Sequence, residues 1–173
     1  MNNYHYLLAS IAFLSLITFP SKIIAQESLF DNSPSYEKSL ENYTIEKIEY
    51  SEEHTIIHFR YDIVNGNGIK VMFYPPKHKF SWYLKDVNSK RKFKLVSVQN
   101  SRRNDLLIQK QPIINPKVFE IPKEEEFTSF RCEIYFKRLP EKITKVDLIE
   151  GKNKRDNKDH YNCFNIKLKQ LEK

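Results

Sequence analysis

Between Thr55 and Ile63 apolar and polar side chains take turns. Thr55, Ile57, Phe59, Tyr61 and Ile63 alternate with His58, Arg60 and Asp62, and only Ile56 interrupts. A period of two marks a strand with one buried face, because successive side chains of extended backbone point to opposite sides. The same logic predicts strands over residues 43–50, 69–74, 80–84, 92–98, 130–136, 143–149 and 161–168. At Lys92-Phe93-Lys94-Leu95 the lysines oppose the apolar residues, so one face of that strand is wet. Residues 118–121 form an edge strand closed by Pro122, residues 99–105 a polar loop, and residues 106–108 a short apolar run.

Turn chemistry separates these segments. Asn65-Gly66-Asn67-Gly68 tolerates the positive φ of a tight hairpin and predicts that residues 69–74 return against the strand before them. Pro75-Pro76 ends that return. No amphipathic helix of ten or more residues is visible. Eight or so short strands with turns every 8–12 residues predict an all-β fold, an antiparallel β-sandwich of immunoglobulin-like type, with a small β-barrel as the alternative. Residues 43–170 form a single domain.

The first residues differ. Leu7 to Phe19 is apolar apart from Ser10, Ser15 and Thr18. Thirteen residues are too few to span a bilayer as a helix, which takes ~20, but they suit the core of a secretory signal peptide. Pro20 follows, and Ala25 supplies a small residue at the expected cut before Gln26, although residues 1–6 lack Lys or Arg. The expectation is therefore a signal peptide over residues 1–25, a flexible lead-in over 26–42, and a product that is periplasmic or extracellular. No Cys follows the apolar core to take a lipid, so no stable membrane anchor is expected after cleavage. An uncleaved N-terminal anchor is the competing reading.

Removing the leader takes away Lys22 and no acid, so the remaining 148 residues carry a net charge of +6. Lys77-His78-Lys79, Lys90-Arg91-Lys92, Arg102-Arg103 and Lys152-Asn153-Lys154-Arg155 are basic clusters, and Glu124-Glu125-Glu126 is an acidic one. These either keep turns solvated or face an anionic partner such as a polyanionic glycan or a membrane surface. No nucleic-acid motif is present, and an exported chain does not meet nucleic acid, so that partner is not expected.

Candidate chemistry is sparse. Cys132 and Cys163 form either a disulfide, permitted by export, or two buried thiols. Cys132 shares alternation with Phe130, Ile134 and Phe136, whereas Cys163 is out of step with Phe164, Ile166 and Leu168 unless a bulge intervenes. His54 and His58 share a strand face but stand ~13 Å apart, too far to hold one metal. No metal or cofactor is expected. Three glycines overall exclude a phosphate-cradling loop, and there is no glycine-flanked serine and no CxxC. Asp147 and Glu150 either order a strand end or serve as a carboxylate pair for glycosidic chemistry. Aromatic density peaks in residues 73–83. There Tyr74, Trp82 and Tyr83 with Lys77 and Lys79 are the candidate binding residues, although Trp82 itself suits the core better than an exposed surface. Asn42-Tyr43-Thr44 matches a glycosylation acceptor. No catalytic residue is assigned.

The C-terminal third carries a pattern. Phe136-Lys137-Arg138-Leu139-Pro140, then Val146-Asp147-Leu148-Ile149-Glu150-Gly151, then Cys163-Phe164-Asn165-Ile166-Lys167-Leu168, resembles a signature of uncharacterised exported proteins of Bacteroidetes. The pattern there is a Leu-Pro step, an Asp-x-Ile-Glu-Gly turn and a closing aromatic-x-Ile-x-Leu strand. Leu84-Lys85-Asp86 with the Lys92–Leu95 alternation also resembles their hairpin. The resemblance covers residues 43–168, departs from the pattern at Asn165, implies an envelope β-sandwich, and carries over no catalytic residue.

The leading expectation is thus an exported, non-enzymatic binding or scaffolding domain of the bacterial envelope, its partner an envelope protein or an anionic glycan. The alternatives are a glycan-binding module or weak glycan hydrolase using the aromatic patch, and an accessory to periplasmic thiol chemistry.

Overall fold

The computed structural model describes residues 29–38, 41–64, 70–121, 126–151 and 161–169. The leader, the turn at 65–68, most of the Glu124–Glu126 cluster and the basic run at 152–155 lie outside the described residues. The strands are β1 (Leu29–Asp31), β2 (Glu37–Lys38), β3 (Tyr43–Tyr50), β4 (His54–Val64), β5 (Lys70–Phe73), β6 (Trp82–Asp86), β7 (Lys92–Arg103), β8 (Leu106–Gln109), β9 (Lys117–Glu120), β10 (Phe127–Lys137), β11 (Lys145–Glu150) and β12 (Cys163–Lys167). Every pairing is antiparallel.

One curled sheet runs β1-β3-β4-β10-β7-β6-β11-β12-β2, with β8 beside β7. It bends into two layers at β7. Lys92 to Lys94 pair with β6, and from Leu95 to Arg103 the same strand pairs with β10. One layer is β3-β4-β10-β7 and the other is β6-β11-β12. Counted in chain order among these seven, they are the first, second, fifth and fourth strands against the third, sixth and seventh. That is the strand order of a constant-type immunoglobulin sandwich. The layers stay continuous through the first residues of β7, and so the sheet is also half of a barrel. Its far ends meet through side chains: Ile45 N–H donates to the Tyr36 hydroxyl at 2.8 Å, Lys169 N–H donates to the Tyr50 hydroxyl at 3.2 Å, and the Tyr43 hydroxyl donates to Asn162 C=O.

The alternation of β4 sets the core. Thr55, Ile57, Phe59, Tyr61 and Ile63 are buried, while His58, Arg60 and Asp62 are half-buried on the outer face. Phe59 stands at the centre, its ring 5.6 Å from Trp82, 5.7 Å from Tyr43 and 5.9 Å from Tyr161. Removing such a ring costs about 3–5 kcal/mol. In immunoglobulin domains the third-strand Trp packs against a disulfide that joins the two layers. Here Trp82 occupies the third strand and Phe59 faces it from the second.

Three expectations about the chain's path are corrected. Residues 29–38 are not a flexible lead-in: β1 pairs with β3, and β2 with β12. Residues 70–73 do not return against β4, because β4 already has β3 on one side and β10 on the other. Instead β5 pairs with β9 in a separate two-stranded sheet. It closes one end of the core, with Phe73 5.9 Å from Trp82 and Phe119 5.7 Å from Phe130. The polar stretch at 99–105 is not a loop either. It continues β7, and Asn104 and Asp105, both at positive φ, make the two-residue turn into β8.

Candidate functional site

Where β7 leaves β6 to join β10, a groove of about 720 Å³ opens at the edge of the sandwich. Its deep side is formed by the inward residues Trp82 and Leu95, buried to 3% and 7% exposure. One wall is the loop between β5 and β6, carrying Lys77, His78 and Lys79. The other is the outer face of β6 and β7, carrying Tyr83, Lys92 and Lys94. Tyr83 and Lys94 are cross-strand partners, so their side chains share a face.

The loop wall is held by its own bonds. Pro75 C=O accepts from His78 N–H at 3.3 Å and from the Ser81 hydroxyl, and His78 C=O accepts from Ser81 N–H at 3.0 Å. His78 Nδ1 accepts from Phe80 N–H at 3.2 Å, while its ring stacks on Tyr74 at 4.6 Å with 5° between planes. Lys77 adopts φ 69°. A left-handed backbone costs a residue with a Cβ roughly 1–2 kcal/mol, so the loop holds this lysine against its preference.

The groove's charge is of one sign. Among the described residues four lysines line it, no carboxylate does, and none of the four makes an ion pair. Two of them rest on rings: Lys92 Nζ is 4.5 Å from the Tyr83 centroid, and Lys79 Nζ is 4.8 Å from that of Phe80. The indole N–H of Trp82 is buried without a hydrogen-bond partner. Such a group costs about 1–3 kcal/mol unless a ligand or water meets it.

Four of the five candidate binding residues, Lys77, Lys79, Trp82 and Tyr83, line this groove. Tyr74 stands behind it, stacked on His78, with burial raising the pKa of its phenol. Lys92 and Lys94 were legible only as a wet strand face, and the sequence does not show that they lie opposite Lys77 and Lys79. The alternation Lys-Phe-Lys-Leu is the signal that places both on one outer surface.

The other candidates separate. Asp147 and Glu150, three apart on β11, point to opposite faces and form no catalytic pair. Asp147 Oδ1 accepts from Asn165 N–H at 2.9 Å, ordering the bulge in β12. Glu150 is buried at the strand end, where its Oε2 accepts from Tyr161 N–H at 3.1 Å and its own N–H donates to Asn162 Oδ1 at 2.9 Å. Burial pushes its carboxyl up to about 7, against the lowering effect of the Tyr161 bond. Cys132 and Cys163 are free and buried, not joined in a disulfide. Asn165 at φ 54° supplies the bulge that turns both Cys163 and Ile166 inward, so both thiols, on β10 and β12, are buried yet unbonded. Burial raises both thiol pKa values, which suppresses the reactive thiolate. Among the described residues no cluster of His, Cys, Asp and Glu is arranged to hold a metal, and no helix is long and apolar enough to cross a membrane.

A second polar assembly went unnoticed in the sequence because its members are far apart in the chain. On the outer face of β3, β4 and β10, Glu46 Oε1 accepts from Arg60 at 3.0 Å and from Arg131 at 3.1 Å. Arg60 also reaches Asp62 at 3.0 Å, and Arg131 reaches Asp105 at 2.6 Å. Further along, His58 Nε2 lies 3.1 Å from Glu49, and Glu133 accepts from Asn100 at 2.6 Å and Tyr135 at 2.7 Å. Burial lowers the His58 pKa, with Glu49 opposing.

The fold and site define an antiparallel β-sandwich with a groove that, among the described residues, is lined by four lysines and no carboxylate. No protein-family model matches the chain, and no curated protein or solved structure is significantly similar to it.

Proposed function

We propose that this chain is an exported, non-enzymatic binding domain of the bacterial envelope, and that it holds an anionic partner in the lysine groove. The observation that carries the reading is the groove's charge: Lys77, Lys79, Lys92 and Lys94 on two walls, with no acid in the lining and no ion pair to any of them among the described residues. Four lysines gathered on two facing walls keep a positive potential over a concave surface, which concentrates anions. Loops on a rigid sandwich are the usual place for such a surface. The apolar leader and the resemblance of residues 43–168 to exported envelope proteins support the compartment. Catalysis finds no support in the opposed Asp147 and Glu150, nor thiol exchange in two buried thiols.

Lysine-reactive footprinting of the purified protein tests the binding half. With an envelope polyanion fraction added, Lys77, Lys79, Lys92 and Lys94 should lose reactivity while the exposed Lys137 keeps it. Uniform labelling of all five would refute the groove as the working surface. Fractionation tests the export half: the expected product lies outside the cytoplasm and begins near residue 26, and an unprocessed cytoplasmic chain would contradict it.

A further inference from the structure

Resting on that reading of the groove, we infer that the ligand is a linear anionic polysaccharide bearing sulfate or uronate groups at intervals. The lysines are dispersed. Lys92 and Lys94 are two residues apart on β7, ~7 Å along the strand, and Lys77 and Lys79 stand on the facing wall. A single phosphate or carboxylate draws its donors to one point, whereas this arrangement lines a track.

The machinery that grips compact anions is also missing. Such sites use helix N-termini, nests of backbone N–H groups, or arginine forks. Among the described residues there is no helix, and no arginine lines the groove. The backbone amides of His78, Phe80, Ser81 and Gly151 are already engaged, the last donating to Ser81 C=O at 3.1 Å.

Two other polyanions fit less well. Single-stranded nucleic acid is held by bases stacked on open ring faces. Here Lys92 covers Tyr83, His78 covers Tyr74, and Trp82 is 3% exposed. A membrane surface takes apolar side chains beside the basic ones. The exposed apolar residues Leu106, Ile114 and Phe127 are not in the groove, and its own Trp82 and Leu95 are buried. A polysaccharide needs neither feature.

Isothermal titration of the purified protein with dextran sulfate, polygalacturonate and uncharged dextran tests this. The arms for other chemistry are inorganic phosphate, an oligothymidylate, and vesicles of phosphatidylglycerol. Binding of at least one charged polysaccharide is expected, weakening steeply as salt rises, with none of uncharged dextran. Lys92→Ala/Lys94→Ala and Lys77→Ala/Lys79→Ala should each weaken it at least tenfold with unchanged circular dichroism, and Lys137→Ala should not. If inorganic phosphate competes at the same groove as well as the polymers do, an anion site stands but the polysaccharide inference falls. Tighter lysine-dependent binding of oligothymidylate or vesicles overturns it likewise. If nothing binds, or if binding ignores all four lysines, the groove reading falls with it.

Discussion

On the outer face of β3, β4 and β10, Glu46 sits between Arg60 and Arg131, and Asp62 and Asp105 each accept a further bond from one of them. In the groove beside β6, four lysines face solvent with no carboxylate among the described lining residues. The two regions use the same charged residue types with opposite results. Arginine forks with fixed acceptors tie neighbouring strands together. Lysines gathered without acceptors repel one another, and two of the four are steadied only by the rings of Phe80 and Tyr83. Between these extremes lies Glu150, a buried carboxyl on the strand that ends at the groove's Gly151.

The largest effect expected from breaking this comparison belongs to Glu150. Its folded pKa of about 7 lies above the ordinary 4.5, so the folded state binds the proton more tightly. Stability is then full below pH 4.5 and is lost as pH rises towards 7, by about 3 kcal/mol. Denaturant unfolding at pH 5 and pH 8 measures it. Glu150→Gln should flatten the difference and exceed the wild type at pH 8 by about 1–3 kcal/mol. An unchanged pH slope in the variant would place the titration elsewhere.

Next comes the paired face. Glu46→Ala leaves two half-buried arginines without their shared acceptor and should cost about 1–2 kcal/mol, with polysaccharide affinity unchanged. Affinity that fell with it would show that the two faces are not independent.

Lys77→Gly separates the roles within one residue. Glycine accepts φ 69° freely, so stability should hold or rise by up to ~1 kcal/mol, while affinity drops with the lost charge. A destabilised variant would make Lys77 structural. The smallest effect concerns the thiols. Cys132 and Cys163 should both resist a thiol reagent in the native protein and both react in denaturant, and rapid native labelling of either would contradict their burial.

Much of the architecture was legible. The alternation around Phe59 and Ile134 gave the inward faces, and strand count with turn spacing gave the sandwich. The pairing of β5 was not, because Asn65-Gly66-Asn67-Gly68 is a genuine hairpin signal that says nothing about whether β4 has a free edge. Asn104-Asp105 carried a usable turn signal that was overlooked within a polar stretch. The switch of β7 between layers leaves no trace in Lys92–Arg103, since alternation is the same whichever strand lies alongside. The groove was half legible. Lys77, Lys79, Trp82 and Tyr83 are close in sequence, and the pairing of β7 with β6 sets Lys92 and Lys94 on the same outer face as Tyr83, but no local pattern shows that the β5–β6 loop stands opposite them. The Arg60–Glu46–Arg131 assembly joins three strands and has no local pattern at all.

The most direct test measures thermal stability and dextran sulfate affinity together on the variant with Lys77, Lys79, Lys92 and Lys94 all changed to Ala. The account predicts a melting temperature within about 3 °C of wild type, as for solvated surface substitutions, and loss of measurable binding. A variant that melts well below the wild type yet retains its affinity would contradict it.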